Sequence, residues 1–281
     1  MAYRKRYLRT FYNDGQYAFR QRIKKLPEVL KPEDVHRLRL AMKKLKYDYR
    51  LLEYISSGKF DAKKQFSHYQ KLFRIAGEVR EDDVNSRLAE ELDIQADLLT
   101  RYRHFVNRNH DTNYRYLKKS IGRIGRRNAK VVIPDNSGLN KRMNKRKFVR
   151  QIYSVIKWKC KRIRKLNLKS KNTIEIHRLR KNLKILHRAM RVYSEVNESK
   201  RLDKPAGEVK QAERQLGVIH DRAVFVSSMN DFLKKTGIAS IRSKETGKVF
   251  GVRADSKSNR LPTAIIDKIG RVLEESKNFL H

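Results

Sequence analysis

Two stretches decide the fold: VHRLRLAMKKLKYDYR at Val35–Arg50 and IHRLRKNLKILHRAMR at Ile176–Arg191. Their matching residues, such as the histidine that follows the first residue of each, lie 141 positions apart. A second pair, RIAGEVREDDV at Arg74–Val84 and RQLGVIHDRAV at Arg214–Val224, recurs 140 positions apart. Because two motifs recur in the same order at nearly the same spacing, we infer that the chain contains two copies of one helical unit.

The only concentrated turn sequence in the middle of the chain, VVIPDNSGLN at 131–140, marks the join between the copies. We therefore assign residues 1–133 to the first helical half, 134–140 to a linker and 141–281 to the second half. With only 5 Pro and 12 Gly in 281 residues, long helices are favoured over a β-rich fold. The periodicity predicts helices at 12–29, 33–56, 60–91, 95–127, 144–166, 172–197, 201–234 and 262–280. Residues 236–261 are predicted to form a long loop, with a short hairpin strand at 248–253.

The charge of the chain restricts its partners. Lys and Arg number 69 against 30 Asp and Glu, which gives a formal net charge of +39. An excess of this size points to a polyanionic partner. The single cysteine, Cys160, excludes a disulfide framework and a cysteine-based zinc site. Because the chain has no apolar stretch long enough for a membrane span and no secretory signal at its start, we expect a cytoplasmic protein without a membrane partner.

A helical wheel of each long repeat places a row of cations beside an apolar face. We name these rows the first arc (His36, Arg39, Lys43, Lys46, Arg50) and the second arc (His177, Arg180, Lys184, His187, Arg191). Neither arc contains an acid, so its members repel one another and weaken the helix unless an external anion neutralises them. A solvated charged face is the alternative, but repetition of the same positions in both copies favours binding. Arg37 and Arg178 point elsewhere on the wheel.

The shorter repeat suggests a supporting role. Gly77 and Gly217 fall within predicted helices, where glycine costs about 1 kcal/mol relative to alanine and allows another group to approach closely. Glu81 and Asp221 follow one turn later, and we interpret them as carboxylates that orient neighbouring basic side chains by hydrogen bonds. Surface ion pairing and, less favoured, acid–base chemistry are the alternatives. Three further cations complete the candidate anion-binding set: Arg74, Arg80 and Arg214.

The four motif copies resemble the two halves of the CHAD domain, the conserved histidine α-helical domain, over residues 10–281. The resemblance implies an all-α fold of two pseudo-twofold-related four-helix bundles around a basic central groove or pore. It also implies that this groove binds inorganic polyphosphate without catalysis. The positions that carry over as anion contacts are His36, Arg39, Lys43, Lys46, His177, Arg180 and Lys184.

The chain also departs from the family pattern. Glu81 stands where aspartate is usual, His220 replaces an arginine or asparagine, and Ile185 and His187 interrupt the second basic run. We therefore expect the second copy to hold its ligand less tightly or with a stronger dependence on pH.

Polyphosphate binding is the favoured function, with polyphosphate granules or polyphosphate-metabolising enzymes as further partners. A nucleic-acid-binding protein is the alternative, since basic clusters also occur at 118–130, 141–147 and 157–165. However, the chain shows no recognised nucleic-acid-binding module. An enzyme is disfavoured because the sequence lacks a phosphate-binding loop motif, an H-E-x-x-H motif and a Glu-x-Glu-x-Lys signature. No cofactor or metal is expected.

Overall fold

The computed structural model describes residues 7–91, 96–127, 144–166 and 173–237, and the regular elements in these ranges are all helices. The predicted all-α fold is therefore confirmed. The helices are α1 (Tyr7–Lys24), α2 (Pro32–Ile55), α3 (Ala62–Glu90), α4 (Ala96–Arg127), α5 (Lys145–Arg164), α6 (Thr173–Asn197) and α7 (Asp203–Lys235). The predicted linker at 134–140, strand at 248–253 and eighth helix at 262–280 lie outside the described residues.

Helix starts follow local capping chemistry. In α2, Pro32 occupies the first turn and the backbone N–H of Lys31 donates to the Asp34 carboxylate at 3.0 Å. In α3, the Asp61 carboxylate accepts from the backbone N–H of Lys64 at 2.9 Å. Each cap satisfies a backbone group that the helix itself leaves unpaired, so both helices begin close to their predicted positions.

The first helix differs from its predicted bounds of 12–29, because it runs from Tyr7 to Lys24. Pro27 explains the early end, since proline disfavours helical geometry in the residue before it and lacks an N–H of its own. The chain then crosses towards α4, where the backbone N–H of Leu30 donates to the Tyr114 hydroxyl at 2.8 Å.

The helices of the first copy pack in a closed ring, with α1 against α2, α2 against α3, α3 against α4 and α4 back against α1. In the second copy α5 packs against α6 and α6 against α7. The copies meet mainly where α2 contacts α5 and α6, and where α3 contacts α7. A second four-helix bundle stays a prediction, because its fourth helix would lie outside the described residues.

A large hydrophobic core joins the two copies, and a smaller one joins α3 and α4 to α7. The apolar faces of α2 and α6 are almost fully buried in the large core, including Leu38, Met42, Leu179 and Leu186. Within this region Arg188 of α6 forms an ion pair with the buried Asp48 of α2. Because an unpaired buried carboxylate is costly, this pair fixes how α2 lies against α6. The same two helices carry the cationic arcs.

Candidate anion-binding cavity

A cavity of about 470 Å³ lies between α2, α3, α6 and α7, where the two copies meet. Its charged lining consists of seven Lys and Arg side chains and two carboxylates, with three histidines beside them. The cations are Arg39, Lys43, Lys46, Arg80, Arg180, Lys181 and Lys184; the carboxylates are Glu81 and Asp221; the histidines are His36, His177 and His220. With the histidines neutral, the lining carries a formal charge of +5. This excess within one enclosure is suited to a multivalent anion.

Most of the predicted contact residues come together here. Eight members of the candidate set line the cavity: His36, Arg39, Lys43, Lys46, Arg80, His177, Arg180 and Lys184. Each copy contributes its histidine, its arginine and its central lysine from the same positions of the arc. The two predicted orienting carboxylates, Glu81 and Asp221, line it as well.

The other five candidates lie outside the lining: Arg50, Arg74, His187, Arg191 and Arg214. Three of them pair with carboxylates of the protein: Arg50 with Glu53 at 2.7 Å, Arg74 with Glu78 at 3.1 Å and Arg191 with Asp203 at 3.6 Å. Burial lowers the pKa of His187 to about 4, with nearby Lys210 lowering it further. His187 is therefore neutral at pH 7 and adds no charge to the second arc.

Both helical glycines lie next to a cavity arginine, but the predicted close approach is confirmed only at Gly77. A Cβ atom at Gly77 would overlap the Arg39 guanidinium. A Cβ atom at Gly217 would lie 3.4 Å from Nη2 of Arg180. In each copy, therefore, the arginine of the long repeat lies across the glycine of the short repeat.

In the first copy the cations lie against aromatic rings. The Cζ atom of Arg39 is 5.4 Å from the centroid of Phe73, and Nζ of Lys46 is 4.8 Å from the same ring. Lys46 also lies 5.6 Å from the centroid of Phe66. These contacts attract the cations through the ring quadrupole but leave their full positive charge available to a ligand.

In the second copy the equivalent position is a carboxylate, because Glu213 lies 140 residues after Phe73. Lys210 Nζ donates to Glu213 at 2.7 Å, Lys184 Nζ lies 3.6 Å from it, and Arg180 Nε lies 3.9 Å away. Glu213 thus supplies one internal negative charge to three cations. Arg180 Nε is itself buried without a hydrogen-bond partner among the described residues, so it retains a donor.

Crowding of like charges shows in the protonation of the lysines. Burial lowers the pKa of Lys43 to about 7, and Arg39 and Lys184 lower it further. Burial and Arg180 lower the pKa of Lys184 to about 8, while Glu213 favours its charged form. Loss of hydration and the surrounding cations also lower the pKa values of the three cavity histidines, His36, His177 and His220. An anion bound in the cavity would favour the charged form of every one of these groups.

The carboxylates influence the arginine between them. Burial lowers the pKa of Arg39, and the charges of Glu81 and Asp221 oppose that shift. Loss of hydration raises the pKa of Glu81, whereas Arg39 lowers it. The two carboxylates therefore stabilise Arg39 electrostatically; their predicted orientation of basic side chains through hydrogen bonds stays a prediction.

The sequence did not predict two of the lining residues. Lys181 lies one turn beyond His177 but off the arc, and Phe73 lies one residue before a motif that was recognised. The repeat spacing pairs Phe73 with Glu213, yet a ring and a carboxylate share no pattern that would mark them as equivalent.

Among the described residues, no group of three or more His, Cys, Asp or Glu side chains is arranged to hold a metal ion. None of the described helices could cross a membrane.

Comparison with known families gives one match. The family model described as the CHAD domain matches residues 16–230, about three quarters of the chain, and includes both arcs and both short repeats. A search of curated proteins finds no relative that matches the chain.

Proposed function

The chain belongs to the CHAD domain family, and from this premise we propose that its cavity binds inorganic polyphosphate without catalysing a reaction. The observation that carries the proposal is the lining itself, in which seven Lys and Arg side chains face two carboxylates. The cations come from both copies, so a single ligand would bridge them. A protein that needed these residues for stability alone would gain more from interleaved acids.

A linear, flexible anion suits the spacing of the cations. Arg39, Lys43 and Lys46 follow one another at steps of four and three residues on α2, so each lies about one helical turn, roughly 5 Å, from the next. Polyphosphate carries a negative charge on every unit and has no bases to accommodate. Each cation could therefore contact a successive part of the chain and release a counterion when it does so.

The environment of Phe73 in the cavity supports a ligand without bases. Nucleic-acid sites of this kind usually offer rings on which bases stack. Here the Phe73 ring is already covered by Arg39 and Lys46. The ring acts on the protein's own cations, so the cavity favours polyphosphate over a single-stranded nucleic acid.

The proposed activity is binding alone. Phosphoryl chemistry relies on groups that hold a divalent metal and orient a nucleophile. The two cavity carboxylates instead lie beside cations, and both act on Arg39 through their charge. We further propose a cytoplasmic protein that meets polyphosphate granules or polyphosphate-metabolising enzymes through this bound polymer.

Nucleic acid is the second candidate, because α5 carries an exposed basic surface with the chain's one tryptophan in it. Lys157, Lys161 and Arg162 are exposed around Trp158. A nucleic acid bound there would leave the cavity unused. The affinities of the protein for RNA and for polyphosphate, measured separately, therefore separate the candidates.

The test is calorimetric titration of the full chain with polyphosphates of graded length at two salt concentrations, repeated with RNA in place of polyphosphate. We expect affinity for polyphosphate to rise with chain length, to fall steeply with salt and to exceed the affinity for RNA at an equal phosphate concentration. Equal affinity for orthophosphate and a long chain would refute the proposal. Tighter binding of RNA than of long polyphosphate would move the nucleic-acid function into first place.

A further inference from the structure

We propose that the polyphosphate site continues outside the cavity, along the C-terminal half of α2 to Arg162 and Trp158 on α5. We name this surface the outer track and define it by Lys46, Arg50, Tyr54, Trp158 and Arg162. The inference rests on the proposed function and distinguishes ligands by length. Long polyphosphate chains occupy the cavity and the track together, whereas short chains occupy the cavity alone.

The track begins as a continuation of the first arc. Lys46, Arg50 and Tyr54 follow Lys43 at steps of three, four and four residues, so all four lie on one side of α2. From Lys43 to Tyr54 this side extends about 16 Å along the helix axis. Lys46 lines the cavity, whereas Arg50 lies beyond it with its side chain 41% exposed.

At the far end, α2 meets a cluster on α5. The Tyr54 ring packs edge-on against Trp158, with centroids 4.9 Å apart. Nζ of Lys159 lies 4.2 Å from the Trp158 centroid and within 3.3 Å of the Tyr54 hydroxyl, and it donates to Asn182 at 3.1 Å. On the outside, Arg162 lies 5.2 Å from the same Trp158 ring. Because Trp158 is 38% exposed, this cluster is open to solvent on one side.

The cations of the track are near enough to influence one another. Burial lowers the pKa of Lys46, and Arg50 lowers it further. Burial also lowers the pKa of Lys159 to about 8, with Arg162 and Arg50 lowering it further. Charge repulsion therefore links Lys46 to Arg50, and links both Arg50 and Arg162 to Lys159. A polyanion that left the cavity at Lys46 would reduce the repulsion among these cations.

The ion pair of Arg50 is compatible with this role. One guanidinium nitrogen of Arg50 donates to Glu53 at 2.7 Å, and the second Glu53 oxygen accepts from the backbone N–H of Ala62 at 3.1 Å. Glu53 is thus fixed by the start of α3 and holds Arg50 in place. A guanidinium has five N–H donors, so others remain for a phosphate oxygen.

The chain offers a direct reporter and a matched control. Trp158 is its single tryptophan, so tryptophan fluorescence reports on the surroundings of the far end of the track. Arg150 is also exposed on α5, twelve residues before Arg162 and therefore about 18 Å away along the axis. Arg162→Glu and Arg150→Glu impose the same charge change on and off the track.

The experiment compares tripolyphosphate with a chain of about a hundred phosphates on the full protein, using calorimetry for affinity and Trp158 emission for contact. We expect both ligands to bind but only the long chain to change the emission. Arg162→Glu should lower long-chain affinity about tenfold and leave tripolyphosphate affinity within twofold. Arg150→Glu should lower long-chain affinity by no more than about threefold.

The outcomes separate the track from the cavity. If both ligands bind but change the emission equally, or if the two variants weaken long-chain binding equally, the outer track is refuted and the cavity stands. If the unmodified protein binds neither ligand, the proposed function fails and the track fails with it.

Discussion

Phe73 in the first copy and Glu213 in the second occupy equivalent positions, yet they act on the neighbouring cations in opposite ways. The ring of Phe73 lies against Arg39 and Lys46 and leaves their charge intact. The carboxylate of Glu213 lies within 4 Å of Lys184 and Arg180 and binds Lys210 directly. A ligand therefore meets cations packed on an aromatic ring on one wall of the cavity and cations that share a carboxylate on the other.

The difference has a physical consequence for the lysines at the centre. Burial lowers the pKa of Lys43 to about 7 and that of Lys184 to about 8, while Glu213 favours the charged form of both lysines and lies 3.6 Å from Lys184. The first copy gains attraction for an anion but keeps its lysine less firmly protonated. The second copy keeps its cations ordered without a ligand, and a polyanion must compete with Glu213 for them. The two copies thus present equivalent helices to the ligand in different ways. The first copy attracts the ligand more strongly, and the second holds its cations in place before the ligand binds.

The largest expected effect comes from reversing the charge of one cavity arginine in each copy at the same time. Arg39→Glu with Arg180→Glu should weaken polyphosphate binding more than about a hundredfold, because each replaces a cavity cation with an anion. Arg37→Glu with Arg178→Glu makes the same change on exposed residues outside the cavity and should have a much smaller effect. Calorimetry gives the affinities, and circular dichroism checks that helix content is retained. Equal losses in the two double variants would mean that diffuse charge, and not the cavity, holds the ligand.

The next test replaces the ring of the first copy with the carboxylate that the second copy has at the equivalent position. Phe73→Glu places a carboxylate beside Arg39 and Lys46, so we expect polyphosphate affinity to fall between about tenfold and a hundredfold. Phe73→Leu removes the ring without adding charge and should cost only a few-fold. If leucine weakens binding as much as glutamate, the ring itself is essential and the contrast in charge between the copies is not what matters.

The comparison also predicts a pH dependence. As pH rises from 6 to 9, Lys43, with a pKa of about 7, and Lys184, with a pKa of about 8, lose their protons, so polyphosphate affinity should fall about tenfold over this range. The substitution Lys43→Arg keeps a positive charge at this position throughout, which should make the fall in affinity smaller. Lys184→Arg should do the same on the opposite wall. Titrations at constant salt measure both profiles, and an unchanged profile in both variants would contradict the assignment.

A smaller effect, an increase in polyphosphate affinity, is expected when the carboxylate that pairs with the cations of the second copy is removed. Glu213→Gln leaves Lys184, Arg180 and Lys210 without their shared carboxylate, so polyphosphate affinity should rise about fivefold. The melting temperature without ligand should fall, since three cations then repel one another unopposed. Glu78→Gln is the control, because Glu78 pairs with Arg74 outside the cavity lining. A loss of affinity in Glu213→Gln would show that Glu213 positions the cations more than it competes for them.

The features predicted correctly from the sequence are those whose residues recur with the period of an α-helix. The apolar faces of both long repeats are buried, and the histidine, arginine and central lysine of each arc reach the cavity. Repetition at a fixed spacing made these positions recognisable, and glycine at Gly77 and Gly217 marked where an arginine passes close to a helix.

What could not be predicted depends on how the helices cross. From its first to its last residue an arc covers 14 residue steps and is about 21 Å long, and α2 and α6 face the cavity only over part of that length. Arg50 and Arg191 therefore lie beyond it and pair with local carboxylates. The contacts of Phe73 and Glu213 reach from one helix to another, and no periodicity within a single helix encodes such a pairing.

The smallest effect tests the two glycines against each other. Alanine improves helix propensity by about 1 kcal/mol at either position, so both substitutions start with the same local gain. At Gly77 the new methyl group overlaps Arg39 and must displace it from its place against Phe73. At Gly217 the nearest atom, Nη2 of Arg180, lies at the ordinary contact distance of 3.4 Å. We therefore expect Gly77→Ala to lower polyphosphate affinity about threefold and Gly217→Ala to leave it within twofold.

Thermal unfolding separates this steric effect from the gain in helix stability. Gly217→Ala should raise the melting temperature of the ligand-free protein by several degrees, whereas Gly77→Ala should raise it less, because displacement of Arg39 opposes the gain. If the two variants behave alike in both measurements, Arg39 adapts to the methyl group at no cost. The close approach of Arg39 to α3 would then not be a constraint that sets the first copy apart from the second.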